Sequence, residues 1–170
     1  RFRVDEQGKP SRATYEENLA ILERAIASAP EQNADVPATY AGGAKSVPVR
    51  RYLYPEGTEF FHSVRYLDPE APGMLAVRMK ELRYARKVRE LEPSVLVRVH
   101  EEEVDKKERG VLAQIPGSPA IGFRNDYGWL LLGFIEDARG RLRVQTEEEH
   151  RFCMGCHGNL GVTVDRTFSF

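Results

Sequence analysis

The sequence is poor in cysteine, in excess positive charge and in long apolar runs, and these shortages exclude several large classes of protein. It contains only two cysteines in 170 residues, which excludes a scaffold held together by several disulfides. Its 25 Lys and Arg nearly balance its 26 Asp and Glu, so the surface as a whole is not suited to nucleic acid. The longest apolar run, residues 128–135, is far shorter than the roughly 20 residues that a transmembrane helix needs. We therefore expect a globular chain without a transmembrane segment.

The patterns that are present predict an α+β fold, with a β-rich antiparallel sheet after one N-terminal helix. Thr14 and Glu17 form a capping-box pattern, and apolar residues then recur at helical spacing until Pro30. Strands are predicted over residues 49–54, 58–67, 95–99, 120–123, 129–135 and 141–144, and apolar residues alternate with polar ones in 58–67 and 95–99. Residues 74–91 fit a strand that continues into irregular or helical structure.

The two cysteines and a histidine form the most informative motif. Cys153, Cys156 and His157 make a CxxCH pattern, which is typical of covalent haem c attachment. Two thiols on one helical turn can reach the two vinyl groups of a haem, and the adjacent imidazole can bind the iron. The motif predicts one covalently attached haem c, with His157 as proximal ligand. A zinc site that adds His150, a redox-active dithiol and a plain disulfide are the alternatives.

A haem iron held by one histidine has a second axial position. His62 is the leading candidate for it, because it shares a predicted strand face with apolar residues. His100 and His150 adjoin runs of glutamate and are expected to face solvent. Met74 and Met79 are further candidates, and an iron with no second protein ligand is another possibility.

The charged runs are typical of a solvated surface. Six basic residues lie between Arg78 and Arg89, and three glutamates lie at 101–103. The functional alternative is that the basic side chains pair with haem propionates or steer an acidic redox partner.

Several segments together resemble the β-sheet cytochromes of the P-460 and c-prime-beta type. They are Tyr54-Pro55-Glu56-Gly57-Thr58, Tyr127-Gly128-Trp129, the CxxCH motif and Asp165-Arg166-Thr167-Phe168. The resemblance covers roughly residues 48–170 and implies a β-sheet fold around a haem. P-460 members that oxidise hydroxylamine carry a cross-linked lysine on the strand after the Gly-Thr turn. Here that strand has no lysine, and His62 lies near the expected place.

These observations lead to one functional hypothesis and two rivals. We expect residues 1–48 to form a helix and connecting loop, and residues 49–170 to form a haem-binding domain. The hypothesis is a monohaem c-type cytochrome that transfers electrons to a redox partner, in the periplasm or otherwise outside the cytoplasm. The rivals are a P-460-like enzyme or gas-binding protein with an open distal site, and a zinc-stabilised binding module. A chain that starts at Arg1 without methionine is expected to be a processed product.

Overall fold

The computed structural model describes residues 1–27, 35–111 and 115–150, together with Asp165. The chain divides into two compact units, Arg1–Pro55 and Glu56–Phe170, whereas the sequence placed the boundary after residue 48. An N-terminal helix precedes a six-stranded antiparallel sheet, which confirms the predicted α+β, β-rich fold class. No helix within the described residues is long and apolar enough to cross a membrane.

The first unit is built on helix α1, Arg12–Ile26. The predicted start at Thr14 is wrong, because Ser11 is the residue that caps the helix. Its backbone is extended, and its hydroxyl oxygen accepts a hydrogen bond from the Thr14 amide at 3.2 Å. Pro30, which was predicted to end the helix, lies outside the described residues.

A small core anchors α1 to the loop that follows it. Ile21 packs with Tyr40, Ala44 and Val47, and a short 3-10 helix spans Gly42–Ala44. Asn18 ties the helix to this loop, because its amide oxygen accepts from the Ala41 amide at 2.8 Å. Residues 49–54 contain no strand, so that prediction is wrong.

The second unit is one antiparallel sheet in the order β1-β2-β5-β4-β3, with β6 pairing the far end of β5. Its strands are β1 Glu59–Leu67, β2 Leu75–Lys87, β3 Gly117–Ser118, β4 Gly122–Arg124, β5 Trp129–Glu136 and β6 Leu142–Val144. A 3-10 helix at Pro72–Met74 lies between β1 and β2. The strands predicted around residues 58–67, 120–123, 129–135 and 141–144 are confirmed, and residues 75–87 are strand throughout.

Helix α2, Pro93–Glu108, replaces the strand that was predicted over residues 95–99. The prediction was wrong because three alternating valines are too short a pattern to distinguish a strand from a helix. Pro93 occupies the first helical turn, where its missing N–H costs nothing. Ion pairs one turn apart, such as Arg98 with Glu102 at 3.5 Å, support the helix along its exposed side.

The sheet has one face, called here the inner face, on which most of the buried side chains lie. The strand registers place on it Phe60, His62 and Val64 of β1, Glu81, Arg83, Ala85 and Lys87 of β2, Phe123 of β4, and Trp129, Leu131 and Gly133 of β5. Trp129 is fully buried there. The inner face is therefore apolar in part, but it also carries charged and imidazole side chains.

Candidate functional site

Three charged side chains lie on the inner face because they occupy odd-numbered positions of β2, and alternate residues of a strand share one face. Glu81, Arg83 and Lys87 share the side of the strand that also carries Ala85. Glu81 and Lys87 are 3% and 2% exposed, so water does not solvate them. Ionised side chains at such depth require partners inside the protein.

Lys87 finds its partner in Asp165. Its Nζ donates to Asp165 Oδ2 at 2.6 Å, to Asp165 Oδ1 at 2.8 Å and to the Tyr127 carbonyl at 2.9 Å. The ammonium lies 5.1 Å from the centre of the Trp129 ring, and Trp129 Nε1 donates to the Asp165 carbonyl at 2.9 Å. Burial lowers the pKa of Lys87 below its usual value, and the Asp165 carboxylate opposes that shift. The pair fixes Asp165 to the end of β2.

A second group of polar residues forms a hydrogen-bonded chain. Arg83 pairs with Glu81, and the amide nitrogen of Gln145 donates to Glu81 Oε2 at 3.2 Å. The amide oxygen of Gln145 faces His150 Nδ1 at 3.2 Å. Because Gln145 presents an acceptor here, the contact requires the proton of His150 to be on Nδ1.

This arrangement leaves the other ring nitrogen of His150 with a free lone pair. The residue is 6% exposed, and its ring stacks on Phe123 with centroids 4.0 Å apart. Among the described residues, His150 Nε2 has no hydrogen-bond partner. Burial, followed by the nearby Arg83, lowers the pKa of His150 to about 4, so the imidazole is neutral at physiological pH. The site can therefore accept a hydrogen bond at Nε2.

The sequence prediction that His150 faces solvent is wrong, and a local signal explains its position. Thr146 and Glu149 form a reciprocal capping box: the Thr146 amide donates to Glu149 Oε2 at 2.8 Å, and the Glu149 amide donates to Thr146 Oγ1 at 3.2 Å. A helical turn thus begins at residue 147. Gln145 precedes the capping residue Thr146, and His150 is the fourth residue of the helical turn. Residues at these two positions often pack against each other, and here the contact directs the His150 ring into the protein.

His62 lies on the inner face, as predicted, directly opposite Arg83 in the register of β1 and β2. It is only half-buried. Burial and then Arg83 lower its pKa, while Glu81 acts in the opposite direction. The pKa values of His62 and His150 are therefore both affected by the Arg83–Glu81 ion pair, but no described contact joins the two imidazole rings.

The other predicted site residues are not assembled by the described structure. Cys153, Cys156 and His157 lie outside the described residues, so their binding of a haem, and that of His62, stay predictions. His100 is exposed on α2, as expected. The residues 1–27, 35–111, 115–150 and 165 contain no group of three His, Cys, Asp or Glu that could hold a metal ion.

Sequence reasoning also missed the buried partners Glu81, Lys87 and Asp165. The basic stretch between Arg78 and Arg89 was read as a solvated surface, and this holds for only part of it. Arg78 and Arg86 are exposed, whereas Lys87 is buried. The available signal was the alternation of charged with apolar residues along a long strand, which assigns the odd-numbered charges of β2 to one face.

Comparisons with known proteins identify the family. A family model described as "-like lipoprotein" matches residues 1–170. A protein of Aquifex aeolicus (strain VF5) named "Uncharacterized lipoprotein" is 40% identical over 166 residues, which is 91% of this chain and 28% of that protein. No solved structure matches the chain. The chain belongs to this lipoprotein family, and it spans little more than a quarter of the relative's length.

This membership corrects the functional interpretation of the CxxCH motif. The resemblance to P-460 and c-prime-beta cytochromes is wrong, since both the family and the relative are lipoproteins. The hypothesis of an electron-transfer cytochrome fails with it, and so do the P-460-like and zinc-module alternatives. A redox partner has no support. Membership of a lipoprotein family is compatible with the predicted location outside the cytoplasm.

The buried ion pair generates a prediction about stability. Lys87→Met leaves the Asp165 carboxylate buried without its cation, so we expect the free energy of unfolding to fall by about 3–5 kcal/mol. Asp165→Asn suits the left-handed backbone at this position, φ 53°, and the double variant should be less destabilised than the sum of the two single changes. Urea unfolding, followed by the fluorescence of the single tryptophan Trp129, measures this.

The control for this experiment is Glu16→Gln, which breaks an exposed ion pair with Arg12 at 2.7 Å and should change stability by less than about 0.5 kcal/mol. Additive losses in the double variant would contradict direct coupling of Lys87 and Asp165.

The neutral His150 generates a prediction about pH. Its pKa is about 4 when folded and 6.5 in the reference state, so the unfolded chain binds the proton more tightly. The contribution of His150 to stability is therefore complete above pH 6.5 and is lost as the pH falls towards 4, by on the order of 3 kcal/mol. His150→Phe preserves the ring stack on Phe123 and should remove most of this slope of the unfolding free energy against pH.

Some slope should persist in His150→Phe, because the pKa of His62 is also lowered. Replacement of the exposed His100 by Gln is the matched control and should retain the wild-type slope. Equal slopes for the wild type and His150→Phe, measured by urea unfolding at each pH, would show that His150 is not buried as a neutral ring.

Proposed function

We propose that this chain is a binding domain of a membrane-anchored lipoprotein in the periplasm, and that its inner face takes a small uncharged ligand. Family membership supports the anchoring, because acyl chains hold a lipoprotein at a membrane surface without a membrane-spanning helix. The chain covers 28% of its relative, so the activity proposed here concerns this domain.

The observation that carries the binding role is the lone pair of His150 Nε2, which meets no hydrogen-bond donor in the part of the chain that the structure describes. A buried acceptor without a partner costs about 1–3 kcal/mol, which a bound hydrogen-bond donor would recover. The Gln145 and Glu81 contacts hold the ring in one tautomer and one orientation, as a preformed site requires. The neutral ring accepts a hydrogen bond at Nε2 and does not donate one there.

The charges around this site favour a ligand without net charge. Arg83 is neutralised by Glu81, and Gln145 and His150 carry no charge at physiological pH. An anion would have to compete with Glu81 for Arg83, and a cation would meet the Arg83 guanidinium. A hydroxyl or amide N–H group on a neutral molecule fits the acceptor best.

The location is tested by fractionating cells that produce the full-length protein containing this chain. We expect the protein in the membrane fraction, and we expect it to be degraded by protease added to spheroplasts, because the domain faces the periplasm. A cytoplasmic protein of the same cells serves as the control and should stay intact. Recovery of the intact protein with the cytoplasmic fraction would contradict the proposal.

The binding role is tested by native mass spectrometry of the chain after export to the periplasm. We expect an added mass that is lost on denaturation and that is absent from His150→Phe, which lacks the Nε2 acceptor. The His100→Gln variant, changed on the exposed side of α2, should retain the added mass. A wild-type chain of bare polypeptide mass, or an added mass unaffected by His150→Phe, would overturn this role.

A further inference from the structure

Strand β1 is an edge of the sheet with an open side. It pairs with β2, and within the described residues no strand pairs with its other side. The Lys87 amide donates to the Thr58 carbonyl at 2.8 Å. This hydrogen bond shows which residues of β1 direct their backbone N–H and C=O groups towards β2. The backbone groups of Phe60, His62 and Val64 therefore point towards β2. Those of Glu59, Phe61, Ser63 and Arg65 point away from the sheet.

This edge lacks most of the features that normally prevent strands from associating. Residues 59–65 contain no proline and no lysine, and they include two adjacent phenylalanines, Phe60 and Phe61. Phe61 is 68% exposed although it lies in the middle of the strand. The bulge between Val64 and Arg65 places its extra residue, Lys80, in β2, so β1 itself continues without interruption to Arg65. The open segment is long enough to take another strand.

The sequence of β1 is complementary to itself in one antiparallel register. A second copy centred on His62 places Glu59 opposite the partner's Arg65, and Phe61 opposite the partner's Ser63. A shift of two residues in either direction places Glu59 opposite the partner's Ser63 or the partner's Leu67. Parallel pairing in register would instead bring the two Glu59 carboxylates together.

We propose that two copies of this chain associate through antiparallel pairing of β1 about His62, which makes one sheet continuous across the dimer. Such an interface has two-fold symmetry, so each Glu59–Arg65 contact occurs twice. The outward N–H and C=O groups of Phe61 meet those of the partner's Ser63, so both edges gain hydrogen bonds. Phe60 of the inner face then lies beside the partner's Val64.

The local contacts of the two charged residues leave them able to make this contact. Glu59 accepts a side-chain hydrogen bond from Tyr84, and its Oε1 is 3.7 Å from Arg86 Nε, but the Glu59 and Arg86 side chains are both more than half exposed. Arg65 Nη1 donates to the carbonyls of Ala76 at 3.2 Å and Val77 at 2.6 Å, and among the described residues no carboxylate forms an ion pair with it. Within one chain the two residues are six positions apart on a strand, roughly 20 Å. They can pair only between chains.

This separation gives a charge-reversal experiment. We expect the wild-type chain to form dimers in sedimentation velocity experiments over a concentration series. Glu59→Arg or Arg65→Glu alone should raise the dimer Kd by about tenfold, since each places like charges opposite each other twice. The double variant should restore a Kd near the wild-type value. Restoration cannot arise within one chain, so it reports the proposed register.

A second pair of variants tests the backbone pairing. Ser63→Pro removes an N–H group that points away from β2, so the fold should persist while the dimer is lost. Ser63→Ala retains that N–H group and should remain dimeric. Far-UV circular dichroism checks that each variant is folded. A wild-type chain that stays monomeric, a double reversal that remains as weak as the single ones, or a folded Ser63→Pro that still dimerises would each overturn the proposal.

Discussion

The buried ion pair of Lys87 and Asp165 is the constraint on which the inner face of the sheet depends. Neither charge is solvated, and each would be unstable at that depth without the other. The same aspartate accepts the Trp129 indole hydrogen bond through its backbone, so the largest buried side chain is fixed together with the pair. Asp165 is thus held at a defined point of the sheet, the end of β2.

Beside this pair, the inner face holds a polar chain whose charges cancel. Arg83 and Glu81 neutralise each other. The Gln145 side chain contacts Glu81 through its amide nitrogen and His150 through its amide oxygen, so it fixes the orientation of the His150 ring relative to Glu81. Gly133 makes this possible, because a side chain there would lie 2.1 Å from the amide oxygen of Gln145. The result is one neutral acceptor, fixed in direction, in a region of the protein that is otherwise apolar or internally paired.

The CxxCH motif of this chain shows the difference between a local motif and a fold. The spacing of Cys153, Cys156 and His157 describes what five consecutive residues can bind, but family membership is carried by the whole chain. The strands of the resemblance were identified correctly, since β1 and β5 lie where the alternating residues 58–67 and the apolar run 129–135 placed them. Strands of this kind occur in many unrelated sheet proteins, so finding β1 and β5 did not support a haem cytochrome function.

The helix before a β-rich sheet, the position of the strong strands and the face of His62 were all predictable from the amino-acid pattern, because local periodicity encodes these features. The pattern misassigned α2, whose alternating valines are compatible with either structure, and it missed His150, whose glutamate neighbours suggested solvent. The folded chain was needed to show that Lys87 contacts Asp165 and that Glu81, Gln145 and His150 form one hydrogen-bonded chain. Those partners are far apart in sequence, and their pairing depends on strand register and on burial, which no local pattern specifies.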